Sequence, residues 1–152
     1  MTSFRGIESW EEVFPFPVHY LRQNYRNTNQ IVDFVSRTLD ADMQSIGFDG
    51  PEVAAVKPYR IPSFFKDITG LKAVITSEER LPLYRKKSYN ILRETGKISK
   101  TKINLMTVYE SKGLEFSAVA VDDSDLSPHE KYIAYTRALM TLGVIEKTGE
   151  NL

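Results

Sequence analysis

The stretch Leu105-Met106-Thr107-Val108-Tyr109-Glu110-Ser111-Lys112-Gly113-Leu114-Glu115-Phe116 decides how this chain is read. One apolar run, Ile103 to Val108, enters it and a second, Phe116 to Val121, leaves it. Two such runs, bounded by polar residues and joined by a short glycine-containing segment, predict buried parallel strands with a tight connection. A charged loop then stands at a strand end. Lys112 and Glu115 around Gly113 can bring a cation, a carboxylate and backbone N–H groups to one ligand, because glycine removes the side chain that would hold the ligand away. On the residues alone the same loop also reads as an ordinary turn.

Upstream, Val18 to Leu21 is a short strand candidate, followed by a polar turn through Asn24, Arg26 and Asn27. Thr28 or Asn27 can cap a helix on which Ile31, Val32, Phe34, Val35 and Leu39 recur at helical spacing. Arg26 thus lies between a strand end and a helix start, where ligands bind in open α/β sheets, although a surface ion pair accounts for it equally well. Val53 to Val56 and Leu71 to Ile75 are further strand candidates, while Lys57 to Asp67, with two prolines and three aromatics, reads as an irregular or edge element. Thr76-Ser77-Glu78-Glu79 has a capping-box pattern, predicting a helix that runs to about Thr95 and stops at Gly96. Ser127-Pro128-His129-Glu130 combines an N-cap serine, proline at the first helical position and glutamate at the third. The helix it opens is expected to pass Tyr132, Ile133, Tyr135, Thr136 and Leu139, giving way near Gly143 to a short strand around Val144 and Ile145. Arg137, four residues after Ile133, needs a partner there, and a structural ion pair would serve.

At 152 residues, with 41% hydrophobic and 26% charged content, the chain is one globular domain's worth. Without cysteine it has no disulfide framework or thiolate metal site, and the isolated His19 and His129 form no metal-ligand cluster. Residues 1–17, with Trp10, Phe14 and Phe16, form a leading segment that lacks the layout of a signal peptide. No run approaches the ~18 apolar residues of a membrane span, and a cytoplasmic setting fits. Net charge is zero, but Arg80 to Lys102 holds eight basic residues against Glu94, and Ile103 to Glu130 holds six acids against Lys112. This pattern suits a polar surface for nucleic acid or a partner, and equally two solvated faces that offset each other. The helix predicted to end at Gly96 would carry most of the basic residues. Nowhere does Gly-x-x-x-x-Gly-Lys-Ser/Thr occur. Asp122 and Asp123, ending an apolar run, are read as loop solubilisers rather than metal ligands.

Thr107-Val108-Tyr109-Glu110-Ser111-Lys112-Gly113-Leu114-Glu115-Phe116 resembles motif V of superfamily-one helicases of the UvrD/Rep type, a Thr-x-His-x-x-Lys-Gly-Leu-Glu-Phe string. Gln23-Asn24-Tyr25-Arg26-Asn27-Thr28 resembles motif IV, and Tyr132-Ile133-Ala134-Tyr135-Thr136-Arg137-Ala138 resembles motif VI. The three stand in family order and span residues 23 to 138. The resemblance implies a RecA-like α/β fold, a three-layer domain with a mainly parallel sheet that lacks its own Walker A loop. Residues 18–152 would form the C-terminal, or 2A, domain.

By the same resemblance the chain is expected to be the C-terminal motor domain of an ATP-dependent DNA helicase or translocase and a piece of a longer protein. Its partners would be an N-terminal RecA-like domain and single-stranded DNA. Arg26 and Arg137 take the catalytic roles at the ATP phosphates; Tyr25, Gly113 and Glu115 join them in holding the nucleotide, and Thr107 and Tyr109 face the nucleic acid. Mg²⁺ ligands and the phosphate loop are expected on the N-terminal domain, so the isolated chain should not hydrolyse ATP. Only 77 residues run from Asn27 to Ile103 inclusive, which leaves no room for the family's large 2B insertion. Tyr109 stands where the family usually has histidine. Both departures resemble the RNA-polymerase-associated helicase-like branch of Gram-positive bacteria, which makes a polymerase-releasing ATPase, with RNA polymerase as partner, the first alternative; a non-catalytic binding module is the second.

Overall fold

The computed structural model describes residues 26–43, 45 and 47–147. The leading segment, the strand expected at Val18 to Leu21 and Tyr25 lie outside them. Among the described residues six strands form one sheet: β1 (Ala54–Val56), β2 (Lys72–Thr76), β3 (Tyr89–Ile91), β4 (Ile103–Thr107), β5 (Phe116–Val121) and β6 (Ala138–Ile145), in the order β1-β6-β5-β2-β4-β3. Every neighbouring pair is parallel. The apolar runs around the Lys-Gly loop are therefore parallel strands, as expected, but β2 lies between them.

Alternation along the strands supplies two cores. Ala73, Ile75, Met106, Val119, Val121 and Leu142 meet α1 (Asn29–Leu39) and α5 (Pro128–Thr136) on one face. Val74, Leu105, Ala118, Ala120 and Ile145 meet Ile61 and Phe65 of α2 (Ile61–Phe65), together with Leu81 and Tyr84, on the other. α1 begins as the sequence anticipates, with Thr28 as its cap. A β-carbon on Gly143 would come within 2.7 Å of the Val56 side chain, so glycine lets β1 close against β6.

Three expectations about helices and loops fail, each for a physical reason. The segment from Lys57 to Asp67 is not irregular: a 3-10 turn (Pro58–Arg60) runs into α2, whose Ile61 and Phe65 are buried. The helix expected from the Thr76 capping box to Thr95 does not form. Ser77 does accept the Arg80 N–H, but Pro82 falls within a 3-10 turn (Leu81–Tyr84), and the chain then supplies β3 and a four-residue helix, α3 (Leu92–Thr95). Gly96 still ends that helix, at φ 76°. The basic residues therefore share no helical face. The last helix stops at Thr136, not beyond Leu139, because the Phe116 N–H bonds Arg137 O at 2.9 Å and starts the ladder of an eight-residue β6. Pairing with strands on both sides outweighs local helix propensity.

Asp122 is no loop solubiliser. It is 2% exposed and accepts from Arg80 Nε at 2.7 Å, Tyr84 OH at 2.5 Å and Ser124 Oγ at 2.6 Å. Burial opposes its charge, yet the donors from Ser124, Tyr84 and Arg80 hold the carboxyl below its ordinary value. Burial and the same carboxylate push the Tyr84 hydroxyl far above its ordinary value. No described helix is long and apolar enough to cross a membrane.

Removing a buried carboxylate strands its partners. Asp122→Ala should lower the unfolding free energy by about 3 kcal/mol at neutral pH. A depressed carboxylate contributes its stability above its unfolded value of ~3.9 and loses it as pH falls through the folded value. Urea unfolding of both proteins at several pH values should therefore show the gap narrowing in acid; a constant gap would contradict the assignment.

Candidate functional site

Three segments far apart in sequence meet at the amino-terminal edge of β5 and β6. Glu115 immediately precedes β5, Arg137 immediately precedes β6, and Arg26 leads into α1. Arg26 Nη1 donates to Glu115 Oε1 at 2.6 Å, with side chains 69% and 39% exposed. Both sequence readings of Arg26 thus meet in one place: it makes a surface ion pair, and its partner is another candidate site residue. The edge is the opposite one from that expected for Arg26, since ligands of a single open sheet gather at the carboxyl ends.

Arg137 is half-buried and acts on the main chain. Its Nε donates to Ile133 O at 3.1 Å and its Nη1 to Leu114 O at 3.2 Å, while Nη2 reaches Thr136 Oγ1 at 3.4 Å. The guanidinium ties the end of α5 to the residue before Glu115. Gly113 has φ 84°, with nothing within 4 Å of an added β-carbon. The left-handed backbone by itself requires glycine there.

The sequence offers Asn27 as a possible cap and as part of the string resembling motif IV, and the structure gives it a larger part. It is 5% exposed, and its Nδ2 donates to Thr136 O at 2.9 Å and Ala138 O at 2.6 Å, the carbonyls on either side of Arg137. One amide fixes the backbone of Arg26 against that of Arg137. The signal in sequence for that part is its place beside Arg26.

Thr107 and Tyr109 lie at the other edge of the sheet. Thr107 ends β4, is 4% exposed and caps α4 (Val108–Ser111): its hydroxyl accepts the Glu110 N–H, while Glu110 Oε1 accepts the Thr107 N–H. Tyr109 is 79% exposed, with Lys112 Nζ 5.0 Å from its ring centre. Beside them Arg93 joins Glu78, through Nη1 and Nη2, to Glu110, through Nε at 3.0 Å. These hydrogen bonds drive the Arg93 guanidinium above its ordinary value. Asp123 accepts from Tyr135 OH, whose ionisation burial suppresses. No group of three His, Asp or Glu side chains stands where a metal could be held, among the described residues.

This sheet, covered by helices on both faces, is a RecA-like α/β fold. No family model and no curated protein matches the chain. Among solved structures it is similar to the C-terminal domain of a possible DNA helicase from Lactobacillus plantarum WCFS1. That likeness has a TM-score of 0.57 and 19% identity, covering 80% of this chain and 86% of that one. At that identity it establishes the fold alone.

The two arginines should respond differently to truncation. Arg26→Ala removes an exposed pair worth at most about 1 kcal/mol. Arg137→Ala removes charged donors from carbonyls inside the fold and should cost about 2 kcal/mol. Thermal or urea unfolding of the two variants tests this; equal losses would contradict the clamp.

Proposed function

We propose that the chain is the C-terminal motor domain of an ATP-dependent superfamily-one DNA helicase or translocase. The observation that carries this is convergence. The segments resembling motifs IV, V and VI, separate in sequence, meet where Arg26 pairs with Glu115 and Asn27 brackets Arg137. The structural neighbour described as the C-terminal domain of a possible DNA helicase supports the same reading.

Arg26 suits the phosphate end of a nucleotide, because its planar, permanently charged fork is exposed and needs only to leave Glu115. Freed by the same exchange, Glu115 turns to the ribose, with Gly113 shaping the loop; the resemblance adds Tyr25, outside the described residues, to the nucleotide-holding set. Arg137 sets that loop and is the second cation at the edge. Bound ATP supplies the phosphoryl group whose transfer such cations stabilise. The phosphate loop and the Mg²⁺ ligands belong, in this reading, to an N-terminal RecA-like domain packed against this edge, and the chain by itself does not hydrolyse ATP. At the opposite edge Tyr109 offers an exposed ring on which a base of single-stranded DNA can stack, with Lys112 beside it for a phosphate. Thr107 contributes there by capping the turn that carries Tyr109.

Tyrosine at position 109, where the family usually has histidine, favours one second reading: the same ATPase chemistry used to release or recycle RNA polymerase. A single experiment addresses both. ATP turnover is measured for the full-length protein alone, with single-stranded DNA and with RNA polymerase, in wild type, Arg26→Ala and Arg137→Lys. Turnover should fall by roughly 10³-fold in Arg26→Ala while nucleotide still binds, with a smaller loss in Arg137→Lys. Stimulation by DNA supports the helicase, and stimulation by polymerase alone supports the second reading. Turnover unchanged in both variants would leave a non-catalytic binding module.

A further inference from the structure

The amino-terminal edge of the sheet has a second half, over β2, β4 and β3, that the nucleotide reading does not use. A concavity of about 270 Å³ lies there, between the end of α2 and the first residues of those strands. Lys66, Lys72, Lys102, Ser88 and Thr101 surround Tyr89 in its wall, apolar side chains of α2 and Ile103 complete it, and no acidic residue lines it.

The charges of this region are divided by residue type. The arginines of the basic stretch are all paired: Arg80 with Asp122, Arg85 with Glu94, and Arg93 with Glu78 and Glu110. No described carboxylate forms an ion pair with Lys66, Lys72 or Lys102; Lys72 Nζ has only the Ile68 carbonyl, at 3.5 Å. A further ammonium, Lys86 Nζ, stands 5.7 Å from the Tyr89 ring centre. Tyr89 is itself 6% exposed, and its buried hydroxyl has no hydrogen-bond partner among the described residues. Such a group costs stability until it finds an acceptor.

The wall is also held in place. Asn104, fully buried, donates to Lys72 O and Ser99 O at 3.0 Å each and accepts from Asn90 Nδ2 at 2.7 Å and Ser99 N at 2.8 Å. Asn90 also donates to Lys97 O at 2.8 Å. This amide network fixes the turn that carries Thr101 and Lys102 against the starts of β2 and β4.

We propose that this concavity is a binding site for a small phosphate oxyanion, inorganic phosphate or pyrophosphate. The polar side chains of the wall can all donate, three of them are ammonium groups and none is a carboxylate, a set that selects an anion rich in acceptor oxygens. The site is distinct from the Arg26–Glu115 edge and does not rest on the helicase reading.

Calorimetric titration of the 152-residue chain with sodium pyrophosphate, against sodium chloride at matched ionic strength, tests the assignment. Saturable binding with a rise in melting temperature is expected, weakened about tenfold or more in Lys66→Ala/Lys102→Ala. Tyr89→Phe separates ligand binding from folding. Without the anion it should melt at or above the wild-type temperature, since it loses an unpartnered hydroxyl, and with the anion it should gain less. A response no larger than that to chloride, or undiminished in the double lysine variant, overturns the site. So does equal displacement of pyrophosphate by a short oligonucleotide with and without a 5′-phosphate, which would make the lysines a track for nucleic-acid backbone.

Discussion

β2 lies between β4 and β5, and the rest of the site geometry depends on that placement. Its Ala73, Val74 and Ile75 are fully buried, with parallel partners on both sides. Because Thr107 ends level with Thr76 while Phe116 begins β5, the connection between the two apolar runs must pass β2 and return from the carboxyl edge to the amino edge. It does so in the residues from Val108 to Glu115: one turn of helix, then an extended tail turned at Gly113. Tyr109 is thereby left at one edge and Glu115 at the other. A tight hairpin, the simplest use of a short loop, is excluded by the parallel direction of the strands.

A sheet buried on both faces leaves its polar groups at the strand ends, and these are met by side chains from distant parts of the chain. Asp122 gathers Arg80, Tyr84 and Ser124 beyond β5. Arg93 joins the ends of β2 and β4 through Glu78 and Glu110. Asn104 secures the starts of β2 and β4, and Asn27 the start of β6. Tyr89 is the exception, and its unmatched hydroxyl is conspicuous because every other buried side-chain polar atom described has a partner.

The sequence carried the buried strands well, because four or five consecutive apolar residues have few other uses. β2, β4 and β5 fall where Leu71 to Ile75, Ile103 to Val108 and Phe116 to Val121 predicted them. It carried helix starts wherever the cap was local, as at Thr28 and Ser127. It misled between Thr76 and Gly96, where a cap-like bond from the Arg80 N–H to Ser77 is followed by Pro82 and by a strand, Tyr89-Asn90-Ile91, too short to show a period. It misled again after Thr136, where Leu139 to Leu142 suit either helix or strand and only the neighbouring strands decide. At the candidate site the charged residues were legible, but their pairing was not. Nothing near Arg26 in sequence points to a carboxylate 89 positions away, and Asn27 as a bracket around Arg137 exists only once α1 lies against α5.

The position of β6 bears on the order in which the chain can fold. It is the last described strand in sequence but the second in the sheet, and among the described strands β1, more than eighty residues earlier, pairs with it alone. During synthesis Ala54 to Val56 would emerge well before this neighbour and wait for it until Gly143 and Val144 follow. The strands β5, β2, β4 and β3 can assemble sooner, from residues 72 to 121. Until the final strand slots in between, two sheet edges remain open, on β1 and on β5. That interval, set by translation speed and by pairing across a long sequence separation, is when the nascent chain is most exposed to pairing with another copy of itself.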